Sequence, residues 1–349
     1  MTLCYDNLVY GLQPFGGIST YWYELSRRLL ELPDLELRFY ETGAEHRNVC
    51  RRKLNIRQAQ LIRSNRVSLQ LERFLKLPAC PGEYLFHSSY FRLPARKDNA
   101  RIITTVHDFV HQIYFSGPRA WLHNHMKQRA IEASDLIITV SEHTKKDLMR
   151  FYPNLKEEKV KVVYNGVSEA FKQLDNPVSP KRPYFLFMGL RDNYKNFDFA
   201  VDVVAEHPDY DLYVLGPKLS KAEGARLEKK LPGRYQTFTA IEASMLNTLY
   251  NGAFCLLYPS AYEGFGIPIL EAMRAGCPFI ALNRSAIPEV AGDAGVLLEA
   301  ADLELARMAV KKIQDHRPEL IHKGFSQAAQ FSWDRCFNQT HQLYKDLAG

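Results

Sequence analysis

A chain of 349 residues with 46% hydrophobic and 24% charged residues is long for one core and suits two domains of roughly 150 to 190 residues each. Its start, "MTLCYDNLVYGLQPFGG", has neither the basic nor the long apolar region of a secretory signal, and runs such as "AFCLLY" (253–258) fall far short of the roughly 20 residues of a membrane span, so a soluble, cytoplasmic chain is expected. Its six cysteines, at 4, 50, 80, 255, 277 and 336, contain no CxxC and no zinc-finger spacing, which points to reduced thiols and not to a disulfide framework or a cysteine metal site.

In chain order, the first strand runs into "QPFGGIST", where Gly16 and Gly17 open a helix through Tyr21, Leu25 and Leu29. Free N–H groups at such an opening meet an anion, although a glycine pair also serves as a plain strand-to-helix turn. "LELRFY" (35–40), "RIITTV" (101–106), "DLIITV" (135–140) and "KVVYN" (161–165) follow as strands, with an amphipathic helix over 119–134 between two of them. His107 and Asp108 stand at the end of "RIITTV"; a histidine there is either a hydrogen-bonded rim residue or a catalyst.

"DNPVSPKRP" (175–183), with three prolines, divides this series from a second one and reads as a linker. Beyond it, "YFLFMG" (184–189), "YDLYVLG" (210–216), "AFCLLYP" (253–259) and "PFIAL" (278–282) alternate with helical segments such as 243–251 and 300–315. Apolar strands separated by helices mean parallel sheets covered on both faces, hence two Rossmann-like domains facing each other across a cleft. "LRDNYKN" places Arg191 and Lys195 just past a strand, where two cations suit a diphosphate or a solvated surface pair. In "AYEGFGIPILEAM" a loop with Glu263, Gly264 and Gly266 leads into a helix with Pro268 in its first turn and Glu271 in the next. Glycines allow a close ligand approach, and each carboxylate accepts two hydroxyl hydrogen bonds, so vicinal hydroxyls of a sugar and a ribose are natural partners.

The net charge of +6 sits wholly in residues 1–175, which hold 26 Lys+Arg against 19 Asp+Glu. Within residues 47–76, Arg47, Arg51, Arg52, Lys53, Arg57, Arg63, Arg66, Arg73 and Lys76 face one acid, Glu72, with apolar residues interleaved. The pattern fits a basic amphipathic helix or pair of helices. No nucleic-acid recognition motif accompanies the charge, so no nucleic-acid partner is expected.

The stretch "YPSAYEGFGIPILEAMRAGCPFIAL", with its E-x7-E pair and the following "IPEVAGDAGVLL", resembles the signature of the retaining GT-B glycosyltransferases of family GT4. The likeness extends over "GLQPFGGISTYWYEL", "HSSYFRLP", "TVHDF", "IITVSEHTKKDL", "VVYNGV", "FMGLRDNYKNF", "LNTLYNGAFCLLYPS" and "FSWDRCFNQTHQLYKDL", nearly the whole chain, and is nearest to bacterial O-antigen and exopolysaccharide enzymes, many of them mannosyltransferases. The resemblance implies a GT-B α/β fold with an N-terminal acceptor-side domain (1–174), the linker, and a nucleotide-sugar-binding domain (184–332), the terminal helix (about 333–349) packing back on the first.

It also implies roles. Glu271 would hold the ribose, and Glu263 with the backbone of Gly264, Phe265 and Gly266 the donor sugar; Arg191 and Lys195 would bind the diphosphate, Gly16 and Gly17 would line the same site, and His107 would contact the sugar near the reacting centre. Leu190 separates Arg191 from the strand glycine, one position later than the family pattern, which favours Lys195 as the diphosphate ligand, and "TFTAIEAS" departs from the family at the base pocket. The implied reaction moves a hexose, mannose first, from a nucleoside diphosphate sugar to a saccharide or lipid-diphosphate-linked saccharide with retention, without cofactor or metal. The alternatives are a soluble disaccharide synthase, a sugar-nucleotide epimerase, or a catalytically silent scaffold with the same fold. A lipid-linked acceptor would bring residues 47–76 to the anionic inner face of the plasma membrane.

Overall fold

The computed structural model of the chain describes residues 2–14, 16–41, 48–63, 69–95, 99–177 and 180–349. It divides into two units, Met1–Asn165 with Trp333–Gly349, and Gly166–Ser332. The stretch 175–183 lies within the second unit in this division, and its residues 178–179 are outside the described residues.

The first unit is built on a seven-stranded parallel sheet of β1 (Thr2–Asp6), β2 (Glu36–Glu41), β3 (Leu61–Arg63), β4 (Tyr84–Ser88), β5 (Ala100–Val106), β6 (Leu136–Thr139) and β7 (Val160–Val162), in the order β3-β2-β1-β4-β5-β6-β7. The strand order reverses at β1 and β4, the place where doubly wound sheets open a crevice beyond their strand ends. Its core is aromatic and hydrogen-bonded. Tyr5 and Trp22 meet edge to face at 5.1 Å and Trp22 and His87 at 4.5 Å. The Tyr344 hydroxyl lies 2.7 Å from both the Tyr5 hydroxyl and His87 Nδ1, and His87 Nε2 lies 2.9 Å from Thr105 Oγ1. Tyr344 belongs to the terminal helix Trp333–Ala348, so that helix is tied to β1, β4 and β5 by polar groups that are all buried and paired.

The second unit holds six parallel strands, β8 (Tyr184–Met188), β9 (Asp211–Leu215), β10 (Tyr235–Phe238), β11 (Cys255–Tyr258), β12 (Phe279–Leu282) and β13 (Val296–Leu298), in the order β10-β9-β8-β11-β12-β13. Phe185, Phe187, Leu257, Ile280 and Leu282 pack against Val201, Val204, Ala309 and Ile313 of the flanking helices. The chain enters and leaves this unit side by side, Val167 bridging Ser332.

The basic stretch does not form one amphipathic helix or a continuous pair. It breaks into a helical turn at Val49–Lys53, a 3-10 turn at Gln58–Gln60, the edge strand β3 paired in parallel to Phe39–Glu41, and a turn at Leu69–Glu72. Burial of Leu61 and Ile62 beside β2 prevails over helical charge spacing. Its charges also diverge. Arg51 is drawn in by Glu41, and Glu72 is buried beside Arg92, whereas Arg52, Lys53, Arg57, Arg63 and Lys76 remain exposed. Arg47 and Arg66 lie outside the described residues.

Candidate active site

In the second unit the opening feature is the buried strand β11, which ends at Tyr258 and hands the chain to a loop and then to the helix Ile267–Arg274. Gly266 caps that helix with φ +119°, a conformation closed to most side chains, and an added Cβ would stand 3.3 Å from Ile287 Cδ1. Pro268, at the start of the helix, has no N–H to lose there. Gly264, Phe265 and Gly266 are buried, and the Phe265 ring packs edge-on against Phe331.

The Glu263 side chain is 15% exposed. Its N–H donates to Ser285 Oγ at 2.8 Å, and its carboxylate meets Lys195 Nζ at 2.5 Å. Lys195 ends the 3-10 turn Asn193–Lys195, held by Asn196 in a left-handed conformation (φ +49°) whose amide donates to the Pro259 carbonyl at 2.8 Å. The loops after β8 and β11 are thus tied together at two points, and both carry a charged side chain to the same place. Tyr258 sits beneath them: burial, then Glu263 and more distantly Glu271, hold its hydroxyl in the protonated form.

Glu271, two turns along from Glu263, accepts a hydrogen bond from the Tyr250 hydroxyl at 3.0 Å. Burial pushes its carboxyl up to about 8, against the pull of that bond. Tyr250 is fully buried and also reaches the Pro268 carbonyl at 3.3 Å, which fixes the carboxyl to its own helix.

Arg191 is placed apart from this pair. Its Nε donates to Glu223 Oε1 at 2.7 Å and its Nη2 to the carbonyls of Pro217 and Lys218, while Nη1 is buried without a hydrogen-bond partner. Gly216 passes so close that an added Cβ would collide with the Gly189 carbonyl and stand 2.9 Å from Arg191 Nη1. Arg191 therefore stitches the ends of β8 and β9 together, and Lys195 is the cation presented beside the Glu263 carboxylate.

In the first unit, Gly16 precedes the helix Gly17–Leu29 with φ +154°, its carbonyl accepting from Thr20 N at 3.0 Å and Ser19 Oγ at 2.9 Å, and no side chain caps the helix start. His107 follows β5. Its ring meets Tyr21 edge-on at 5.0 Å and its Nε2 is shut off from solvent with no hydrogen-bond partner. Burial pushes its pKa down to about 4, Asp108 opposing and Lys127 reinforcing the shift, so the ring is neutral at physiological pH. Among the described residues no three His, Cys, Asp or Glu side chains gather to hold a metal ion.

Sequence reasoning passed over Tyr250, Tyr258, Ser285 and Glu223, each of which positions a residue it did name. Tyr258 reads as the last apolar residue of a buried strand and Tyr250 as one of several core aromatics at helical spacing. Only the fold shows where their hydroxyls point. Glu223 could have been found as the third residue of a capping box with Ser220, but nothing local joins it to Arg191, 32 positions away.

Residues 15–171 match the model of Glycosyltransferase Family 4, and residues 168–323 that of the Glycosyl transferases group 1. O-antigen chain mannosyltransferase B of Escherichia coli is 26% identical to this chain over 382 aligned positions, which cover 96% of this chain and 97% of that protein. Among solved structures, sucrose-phosphate synthase from Thermosynechococcus elongatus superposes with a TM-score of 0.77 at 17% identity over 99% of both chains, and Anabaena HepE in complex with UDP-glucose with 0.73 at 14% over 99% and 100%. The chain belongs to the GT4-type glycosyltransferases and has their GT-B fold.

Proposed function

We propose that this glycosyltransferase moves mannose, with retention of configuration, from GDP-mannose to a saccharide or lipid-diphosphate-linked saccharide of a bacterial surface polysaccharide. The observation that carries the reading is the Lys195–Glu263 pair, 2.5 Å apart on two tied loops, with Glu271 eight positions after Glu263. Glu271 accepts the ribose hydroxyls and Glu263, with the backbone of Gly264, Phe265 and Gly266, the sugar hydroxyls. Lys195 exchanges part of its contact with Glu263 for the diphosphate, and Arg191 shapes the loop it stands on. Gly16, Gly17 and His107 keep the roles toward the phosphate and the reacting sugar that the family resemblance implies. Mannose as the transferred sugar rests on the full-length likeness to a mannosyltransferase.

The chemistry follows from charge. The anomeric C–O bond breaks with its electron pair leaving on the diphosphate; the acceptor oxygen bonds to the same carbon from the same face, and its proton passes to the departing phosphate oxygen. A fixed ammonium beside that phosphate stabilises the growing negative charge without a metal ion. A metal requirement would show as loss of activity in EDTA with recovery on Mg²⁺ or Mn²⁺.

The proposed setting is the cytoplasmic face of the membrane. Among the described residues no helix is long and apolar enough to cross a membrane. Leu71, Phe74 and Leu75 are exposed beside Arg73 and Lys76, a mixed patch suited to an anionic surface, where each cation contributes about 1 kcal/mol.

The deciding experiment measures nucleotide release from a panel of nucleotide sugars with and without saccharide acceptors. GDP-mannose is expected to give acceptor-dependent release of GDP and an α-linked product. Acceptor-independent isomerisation of a sugar nucleotide would support an epimerase, and preference for another donor would remove mannose from the proposal. Co-sedimentation with anionic but not neutral vesicles, lost in high salt, tests the membrane contact.

A further inference from the structure

The first unit carries a concave site of its own, lined by residues that follow β5 and by the end of the helix after β6. Its volume is about 290 Å³, near the lower bound of about 300 Å³ for small-molecule sites. Trp121 and His125, one helical turn apart on the helix Pro118–Ala133, stack in parallel at 5.4 Å with 4° between their planes. Trp121 is 66% exposed, where solvent reaches its ring. Phe151 and Tyr152 supply further aromatic surface.

Three amides complete the site, of which Gln128 donates to Glu132 Oε1 at 2.7 Å. Gln112 Oε1 accepts from the buried Lys127 at 3.4 Å, and because an ammonium only donates, this fixes which end of the amide faces it. The other end, Nε2, is buried with no partner of hydrogen-bonding geometry, beside the Tyr152 hydroxyl. Asn124 Oδ1 is likewise buried and unpartnered.

We infer that this cavity is a subsite for one neutral sugar ring of a saccharide chain. Each sugar hydroxyl both donates and accepts, so a vicinal pair satisfies Gln112 Nε2 and Asn124 Oδ1 together, while the C–H face of the ring lies on the Trp121 indole. Among the described residues no carboxylate and no Lys or Arg lines the cavity, so a charged ligand has no partner there. As a subsite for the growing acceptor it rests on the transfer reaction proposed above; as a sugar-binding site it does not.

The chain has three tryptophans, and Trp22 and Trp333 are 1% and 4% exposed, so acrylamide quenching of the intact protein reads Trp121. Mannotriose is expected to protect Trp121 from acrylamide. Asn124→Ala should weaken this protection by about ten-fold in Kd, the effect of losing one buried polar partner. Trp121→Ala should abolish saturation-transfer NMR signals from mannotriose, while nucleotide-induced thermal shifts stay unchanged in both variants and certify the fold. In transfer assays the KM for an oligosaccharide acceptor should rise about ten-fold in Asn124→Ala with kcat and the donor KM unaltered.

An unchanged quenching slope at saturating mannotriose overturns the proposal, as does protection by inorganic phosphate in place of the neutral sugar. Protection without any transfer activity would keep the subsite and remove the proposed reaction. Transfer with normal acceptor KM in both variants would do the reverse.

Discussion

The two units treat their polar groups in opposite ways. In the second, each candidate side chain is met by a partner, Lys195 by Glu263, Arg191 by Glu223 and Glu271 by Tyr250, and of their polar atoms Arg191 Nη1 is the one left buried without a bond. In the first, His107 Nε2, Gln112 Nε2 and Asn124 Oδ1 are buried with none. Charges that ride on loops need an internal counterion in the absence of ligand, because an isolated desolvated charge is far more costly than an isolated amide or imidazole. The second unit is therefore organised for exchange, in which a ligand displaces a standing ion pair. The first is organised for addition, in which a ligand satisfies a standing vacancy. Substitutions in the two units should accordingly fail in different ways.

The largest effect is expected at Lys195. Lys195→Ala removes the charge beside the leaving group, and a single preorganised electrostatic contact of this kind is worth about 10²- to 10³-fold in kcat. It also strands Glu263, so thermal stability should fall. Lys195→Met with Glu263→Gln should recover the stability and not the rate; recovery of both would show that the pair is only structural. At His107 the failure should be chemical alone. His107→Gln is expected to lower kcat about 10²-fold with little change in melting temperature, since the Nε2 it replaces bonds to nothing. With its pKa near 4, the ring gives kcat/KM no inflection near 6.5, and a clear histidine inflection there would contradict the neutral assignment. The folded pKa lies below the unfolded one, so this group leaves stability untouched above about pH 6.5 and lowers it as pH falls from 6.5 toward 4.

Arg191 sharpens the contrast within the second unit. Its side chain is 5% exposed and bonded to Glu223 and two carbonyls. Arg191→Ala should cost about 2 kcal/mol of stability by leaving those groups unpaired, yet lower kcat by less than about ten-fold. A rate loss as deep as that of Lys195→Ala with normal stability would return Arg191 to the diphosphate.

The sequence made the alternation of strand and helix legible because buried parallel strands such as "YFLFM" and "DLIIT" are continuous apolar runs. The edge strand β3 was not legible: three residues amid nine cations read as helix, and only pairing with β2 reveals it. In the site, Glu263, Glu271 and Lys195 announced themselves through glycine, proline and charge at fixed offsets from a strand. What holds each of them was hidden, since Tyr250, Tyr258 and Glu223 come from other elements and contact the named residues only through the fold. The saccharide cavity was invisible for the same reason, its walls being drawn from residues 112, 121, 124, 125, 128, 151 and 152, none with a motif of its own.

The smallest expected effect tests whether Glu271 belongs to the exchange pattern at all. Its partner, Tyr250, is neutral, and its carboxyl binds a proton up to about pH 8, against 4.5 ordinarily. The raised folded pKa sets the sign. Between 4.5 and 8 the unfolded chain has lost this proton and the folded chain keeps it, so stability from this group is complete below about pH 4.5 and drains away as pH rises toward 8. Glu271→Gln, a neutral near-isostere that can still accept from Tyr250, removes that titration. Its unfolding free energy should match that of the parent near pH 4.5 and exceed it at pH 8.5, by on the order of 1 kcal/mol once partial exposure of the carboxyl is allowed for. The same variant should bind nucleotide more weakly, because a carboxylate accepts from two ribose hydroxyls and an amide oxygen offers less charge to them. Nucleotide should therefore bind the parent more tightly at pH 8.5 than at pH 6.5, with proton release on binding at the lower pH, measured by calorimetry in buffers of different ionisation enthalpy. Equal affinity at both pH values with no proton release would mean that Glu271 meets the ribose in its protonated form, and would place it with the standing vacancies of the first unit.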